Sequence, residues 1–272
     1  MRFTTSDRVS LHYTDEGTGK PVICLSGLTR NGSDFSYMTP HFPDLRLIKM
    51  DYRGRGQSDW ADPETYTIPR EAQDVIELMD HLGLDRAAIL GTSRGGLVAL
   101  GLGAMARDRL TGVAFNDIGP AVDPAGVEVI KNYIGRNPVW KTHDEAAAAR
   151  AKVMSGFTGV PESRWREEVE KLYVETDEGL QITYDPRLRD AVLATGAQPE
   201  PDLWPFFDAL DGLPLACIRG ATSDILSKET YDEMCRRRPD MIAVELPDRG
   251  HIPFLDETAA VDALRRWSDL LP

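Results

Sequence analysis

Ser93 stands among glycines in Gly91-Thr92-Ser93-Arg94-Gly95-Gly96, where one apolar run ends and another begins. A serine hydroxyl attacks a carbonyl only when a base takes its proton. It must also project clear of its backbone, which a sharp strand–turn–helix bend achieves by straining the serine. Flanking glycines remove the β-carbons that would crowd such a bend. The base must come from five histidines. His12, His41, His81 and His143 fall in a hairpin, a loop, a helix surface and the middle of the chain. His251, in "LPDRGHIPFLDE", follows the last strand-like run and is the expected base. An acid placed between serine and histidine would hold the imidazole tautomer and stabilise the imidazolium. Asp224, just past "LACIRGATS", is the first choice, and Asp117, at the end of "GVAFND", is the alternative. The backbone N–H of Arg94, at the start of a helix, and that of Leu28, in the loop after "VICLSG", are the expected oxyanion donors. The chemistry this points to is acyl transfer to water.

Recognition of the rest of the substrate is sought nearby. Arg30 and Arg94 adjoin the two oxyanion donors, so either guanidinium is a candidate partner for a substrate carboxylate. The competing reading makes both structural salt bridges. Aromatic residues of the middle region, Trp140 and Trp204 among them, are candidates for an apolar pocket wall.

These groups need a scaffold that presents strand ends on one edge. "RFTT" and "VSLHYTDEG" around "SDR" predict a hairpin. "PVICLSG", "LRLIKMD", "RAAILGT", "LTGVAFND", "LPLACIRG" and "MIAVELPD" read as buried strands. Between them, Ala72, Val75, Ile76, Met79 and Leu82 recur at helical spacing, with Gly83 as a stop. "RGGLVALGLGAMA", "SKETYDEMCRRR" and "DETAAVDALRRWSDLL" also read as helices. Strands alternating with helices predict a mostly parallel sheet covered on both faces. The rhythm breaks between 119 and 205, where "DEAAAARAKVM" and "SRWREEVEKLYVET" read as helical patches and prolines at 138, 161, 186, 199, 201 and 205 mark turns. The expectation is a core of 1–118 and 206–272 with an inserted helical cap at 119–205.

Composition narrows the partners. The 272 residues carry 31 basic and 44 acidic side chains, a net charge of −13. That opposes binding to nucleic acid or to anionic membranes, and leaves a small-molecule substrate as the expected partner. Cys24, Cys217 and Cys235 form no C-x-x-C pair and read as free thiols of a reducing compartment. With no apolar leader or span, the expected location is cytoplasmic. Neither H-E-x-x-H nor paired C-x-x-C is present, so no metal is expected.

"LSGLTRNGSDF", "MDYRGRGQSD", "GTSRGG", "GATSD" and "GHIPFLDE" together, in this order, resemble the α/β-hydrolase fold family along nearly the whole chain. The resemblance implies an eight-stranded sheet, a cap inserted after the sixth strand, a Ser-His-Asp triad and no cofactor. It implies a structural role for Asp51, Arg53, Gly54, Gly56 and Ser58. Members often have a histidine before the oxyanion-loop glycine, where this chain has Ser26. A serine at 93 disfavours the members that use an aspartate nucleophile. The expected reaction is hydrolysis of a small carboxylic ester or lactone through an acyl-enzyme. C–C hydrolysis of a ring-cleavage diketone and a non-catalytic ligand-binding role are the alternatives.

Overall fold

Burial decides which runs become strands. Residues 22–25, 87–92 and 215–220 are buried along their whole length, as the interior of a two-faced parallel sheet requires. The computed structural model describes residues 1–154, 156–195 and 201–272 and builds these runs into one eight-stranded sheet. Strands β1 (Arg2–Thr4) and β2 (Ser10–Glu16) form the expected hairpin. Next come β3 (Lys20–Leu25), β4 (Leu45–Met50), helix α1 (Ile68–His81), β5 (Ala87–Thr92), α2 (Arg94–Ala106) and β6 (Leu110–Asn116). The chain then leaves the sheet for α3 (Pro124–Tyr133), α4 (His143–Val153), α5 (Glu162–Leu172), β7 (Tyr173–Thr176), β8 (Gly179–Ile182), α6 (Leu188–Thr195) and α7 (Trp204–Asp208). It returns with β9 (Leu215–Gly220), α8 (Lys228–Arg237), β10 (Ile242–Leu246) and α9 (Thr258–Asp269).

Across the sheet the order is β1-β2-β4-β3-β5-β6-β9-β10. Only β2 runs against its neighbours. From β3 the chain steps outward to β4, then crosses back to lay β5 on the other side of β3. Such a reversal opens a crevice beyond the carboxyl ends of the two strands, and the loops leaving them carry Leu28 and Ser93. Side chains alternate between the faces. Ile23, Leu25, Ile89, Val113 and Phe115 pack on one face with Val75 and Met79 of α1 and Val98 and Leu102 of α2. Val22, Cys24, Leu90, Ala114 and Ile218 pack on the other with Leu264 and Trp267 of α9. Each such large apolar side chain contributes about 2 kcal/mol on burial. The α1 helix starts where the Thr67 hydroxyl accepts from the Arg70 N–H, and its chain reverses at Gly83, with φ 65°.

Between β6 and β9, which are sheet neighbours, the chain makes its long excursion. The run "YVET", read from sequence as the end of a helix, is instead strand β7, paired with β8. The helix stops at Leu172, where aromatic Tyr173 and β-branched Val174 favour extended backbone, and Gly179 at φ 119° closes the turn. Pro199 lies outside the described residues. The excursion is fastened to the sheet loops by charge and by rings. Arg30 bonds Glu168 of α5 at 2.7 Å, and Arg164 bonds Asp256 at 2.6 Å. The Tyr37 ring lies between two cations, Arg164 at 3.7 Å and Lys171 at 3.3 Å from its centroid. Trp165 and Phe157 pack against Phe254, three residues beyond His251. The "DYRGRGQSD" loop supports this frame: Asp51 accepts from the N–H groups of Gly32 and Gln57, and Arg53 is paired with Asp74, both fully buried. Cys24, Cys217 and Cys235 are free, and no helix among the described residues is long and apolar enough to cross a membrane.

Burial pushes the Glu168 carboxyl up, but Arg30, Arg150 and Lys171 outweigh it and hold its pKa below the ordinary 4.5. A depressed carboxylate pKa gives stability that is present above 4.5 and lost as pH falls through the folded value. Glu168→Gln is therefore expected to cost about 3 kcal/mol at pH 7, with the gap to wild type closing below pH 4.5. Urea unfolding across a pH series measures this, and parallel stability curves would contradict it.

Candidate active site

The bend after β5 is built from close approaches. Ser93 sits at φ 50° and ψ −116°, a conformation that costs about 1–3 kcal/mol. A β-carbon on Gly91 would lie 2.5 Å from the Gly95 backbone, and one on Gly95 would lie 2.1 Å from the Leu25 carbonyl oxygen. The two glycines thus let the helix start pack directly on the strands. The Ser93 N–H donates to the Asn116 carbonyl at 3.0 Å, tying the bend to β6.

His251 reaches Ser93 from the loop after β10. Its Nε2 is 3.0 Å from Ser93 Oγ, and its Nδ1 is 2.7 Å from Asp117 Oδ2. A carboxylate on Nδ1 favours the tautomer with the proton there, which leaves Nε2 free to accept from the serine. Asp117 is fully buried directly after β6, at φ 56°. Its Oδ1 accepts from the Gly220 N–H at 2.8 Å, and its Oδ2 also accepts from Ser223 Oγ at 2.6 Å. The histidine loop is held in turn by Asn116, whose Nδ2 donates to the Pro253 carbonyl at 3.2 Å.

The acid at the histidine is therefore Asp117, and the first choice, Asp224, is corrected. Asp224 is exposed, and its carboxylate accepts no hydrogen bond among the described residues. The reason is sheet order. β6 lies beside β5, so its end falls next to Ser93, whereas β9 is one strand further out. The "GATSD" turn contributes the Ser223 hydroxyl, which braces Asp117, and its next residue turns outward.

Leu28 lies across from the bend. A β-carbon on Gly27 would be 3.8 Å from the Ser93 β-carbon, and the Leu28 carbonyl is fixed by Arg55 Nε at 2.9 Å. Among the described residues, neither the Leu28 nor the Arg94 N–H donates to another backbone group. Ser26 is fully buried, and its hydroxyl has no hydrogen-bond partner. The Arg94 side chain leaves the site to bond buried Glu71 at 2.6 Å and the Tyr66 carbonyl at 3.0 Å. Arg30 stays at the site, but its guanidinium is engaged by Asp34 and Glu168.

Ser93 and His251 open onto a cavity of about 480 Å³ shared with residues of the excursion. Leu28, Arg30 and Trp140 line it, together with Ile130, Met154 and Leu172. Trp204 does not. It stands edge-on to Phe207, and Arg237 covers it at 4.4 Å, because α7 packs against the sheet's own helices. Arg150 and Tyr133 are among the lining residues that the sequence pattern does not single out. For Arg150 a signal existed: it lies one turn beyond buried Ala146 on the inward face of α4. Among the described residues no group of three or more His, Cys, Asp or Glu is placed to hold a metal ion.

The model of the alpha/beta hydrolase family matches residues 22–264. The chain belongs to that family. It is 33% identical to a 3-hydroxybutyrate-oligomer hydrolase from Cupriavidus necator, over 93% of this chain and 90% of that one. A 2-(acetamidomethylene)succinate hydrolase from Mesorhizobium japonicum is 25% identical over 90% of this chain and 86% of that one. The crystal structure of an alpha/beta hydrolase from Novosphingobium aromaticivorans superposes with a TM-score of 0.92 at 36% identity, covering 100% of this chain and 98% of the other. With named hydrolases among such relatives, this alpha/beta hydrolase is an enzyme.

Asp117→Asn is expected to lower kcat for 4-nitrophenyl acetate by about 10⁴-fold, by removing the group that sets the imidazole tautomer. Asp224→Asn should leave kcat within about twofold of wild type, as an exposed substitution does. Steady-state kinetics of the two variants decide between the acids, and the reverse ranking would contradict the geometry.

Proposed function

We propose that the chain is a serine hydrolase of small carboxylic esters, working through an acyl-enzyme. The observation that carries this reading is the unbroken hydrogen-bonded series from Ser93 through His251 to Asp117, with its serine end open to the cavity. Ser93 Oγ attacks the ester carbonyl while His251 Nε2 takes its proton. The Leu28 and Arg94 N–H groups receive the oxyanion, each contributing roughly 3 kcal/mol to lowering the barrier. His251 then protonates the departing alkoxide, and water repeats the sequence on the acyl group. Asp117 keeps the Nδ1 proton in place and stabilises the imidazolium formed in both halves. Residues 1–118 and 206–272 act as the catalytic core, and 119–205 as the cap that roofs the cavity.

An ester is favoured over other bonds by the relative named for 3-hydroxybutyrate oligomers. Hydroxy acids joined through their own hydroxyl and carboxyl groups are linked by esters. Most of the cavity wall is aliphatic or aromatic, which suits a short acyl chain.

The test is turnover of 4-nitrophenyl butyrate and of the 3-hydroxybutyrate dimer beside a vinylogous diketone. Ester cleavage with a pre-steady-state burst is expected, falling by at least about 10⁴-fold in Ser93→Ala. Ester cleavage that survives Ser93→Ala, or turnover of the diketone alone, would overturn the reading.

A further inference from the structure

Arg150, on the inward face of α4, lines the cavity without an ion-pair partner among the described residues. Arg150 shares the cavity lining with Ser93 and His251. Its Nε is buried without a hydrogen-bond partner, and among the described residues its guanidinium makes no ion pair. The nearby carboxylates are already committed. Asp34 and Glu168 both bond Arg30, and Lys171 stands 3.6 Å from the same Glu168. Three arginines, Arg30, Arg136 and Arg150, line this cavity against one carboxylate, Glu168, although the chain as a whole carries a net charge of −13. The local excess of positive charge is thus a feature of the site and not of the composition.

Burying a cation without a partner is costly. Burial and then the like charge of Arg30 draw the Arg150 pKa down, against the opposing pull of Glu168. Tyr133 and Tyr173 line the same cavity close enough for their phenols to feel the Arg150 charge. A guanidinium fork beside two phenol donors matches the acceptor oxygens of a carboxylate.

We propose that Arg150 binds a free carboxylate carried by the substrate while the scissile ester of the same molecule lies at Ser93. The substrates are then monoanionic esters, molecules with a carboxylate at one end and an acyl–oxygen bond further along. This rests on the hydrolase reading above. Arg150 takes the role that sequence proximity suggested for Arg30 or Arg94, because those two side chains are already paired within the protein.

The test compares monoethyl adipate with its neutral amide, ethyl adipamate. The wild-type enzyme should favour the anion by at least about tenfold in kcat/KM. Arg150→Gln should bring that ratio close to one, chiefly through KM, and Arg150→Lys should retain part of it. Equal rates for the two esters, or a preference that survives Arg150→Gln, would overturn the proposal. Calorimetric binding of monoethyl adipate to Ser93→Ala protein, with and without Arg150→Gln, gives the same decision without any turnover. Binding that depends on Arg150 upholds the anion site even where no ester is turned over, and binding that does not depend on it overturns the anion site without bearing on the hydrolase reading.

Discussion

The 2.7 Å contact between the Asp117 carboxylate and His251 Nδ1 is the constraint on which the rest of the site depends. It joins residues 134 positions apart, brought together because β6, β9 and β10 lie side by side and parallel, with their carboxyl ends on one edge. Asn116, the last residue of β6, enforces the alignment from both sides. Its carbonyl receives the Ser93 N–H, and its side chain holds Thr92 and the Pro253 carbonyl. One strand end therefore fixes the bend at Ser93, the loop of His251 and, through the next residue, Asp117.

The excursion between β6 and β9 is bound to this same edge. Phe254 belongs to the histidine loop and also to the ring cluster with Phe157 and Trp165. Arg30 belongs to the loop after β3 and is clamped by Glu168 of α5. Contacts that hold the excursion in place thus also hold the loops that bear His251 and Leu28. Ion pairs at this seam engage Asp34 and Glu168 and leave Arg150, which faces the cavity, without one among the described residues.

What could be read from the sequence was what short-range chemistry determines. The bend at Ser93 is spelled by glycines whose β-carbons would collide with neighbouring backbone, and fully apolar strands announce a two-faced sheet. His251 stood out because its position after the last strand is a matter of chain order. The acid was misjudged because Asp117 and Asp224 both follow strands, and only sheet order says which strand end adjoins Ser93. Trp204 was misplaced for a similar reason: an aromatic residue in a proline-rich stretch does not declare which surface it covers, and α7 turned out to pack on the core. The β7–β8 hairpin hid behind the charged pattern of α5. Arg150 carried no motif, and its inward aim followed only from the buried alanines of its own helix.

The hydrogen-bonded series from Ser93 through His251 to Asp117 calls for an activated serine hydroxyl. Phosphorylation by diethyl 4-nitrophenyl phosphate tests this most directly, since the reagent reports nucleophilicity without requiring a matching substrate. Intact-mass and peptide mass spectrometry should find one stoichiometric diethylphosphoryl group on Ser93, with labelling slowed by orders of magnitude in His251→Ala and Asp117→Asn. An unmodified Ser93, or labelling that proceeds at the wild-type rate without the imidazole, would contradict the account.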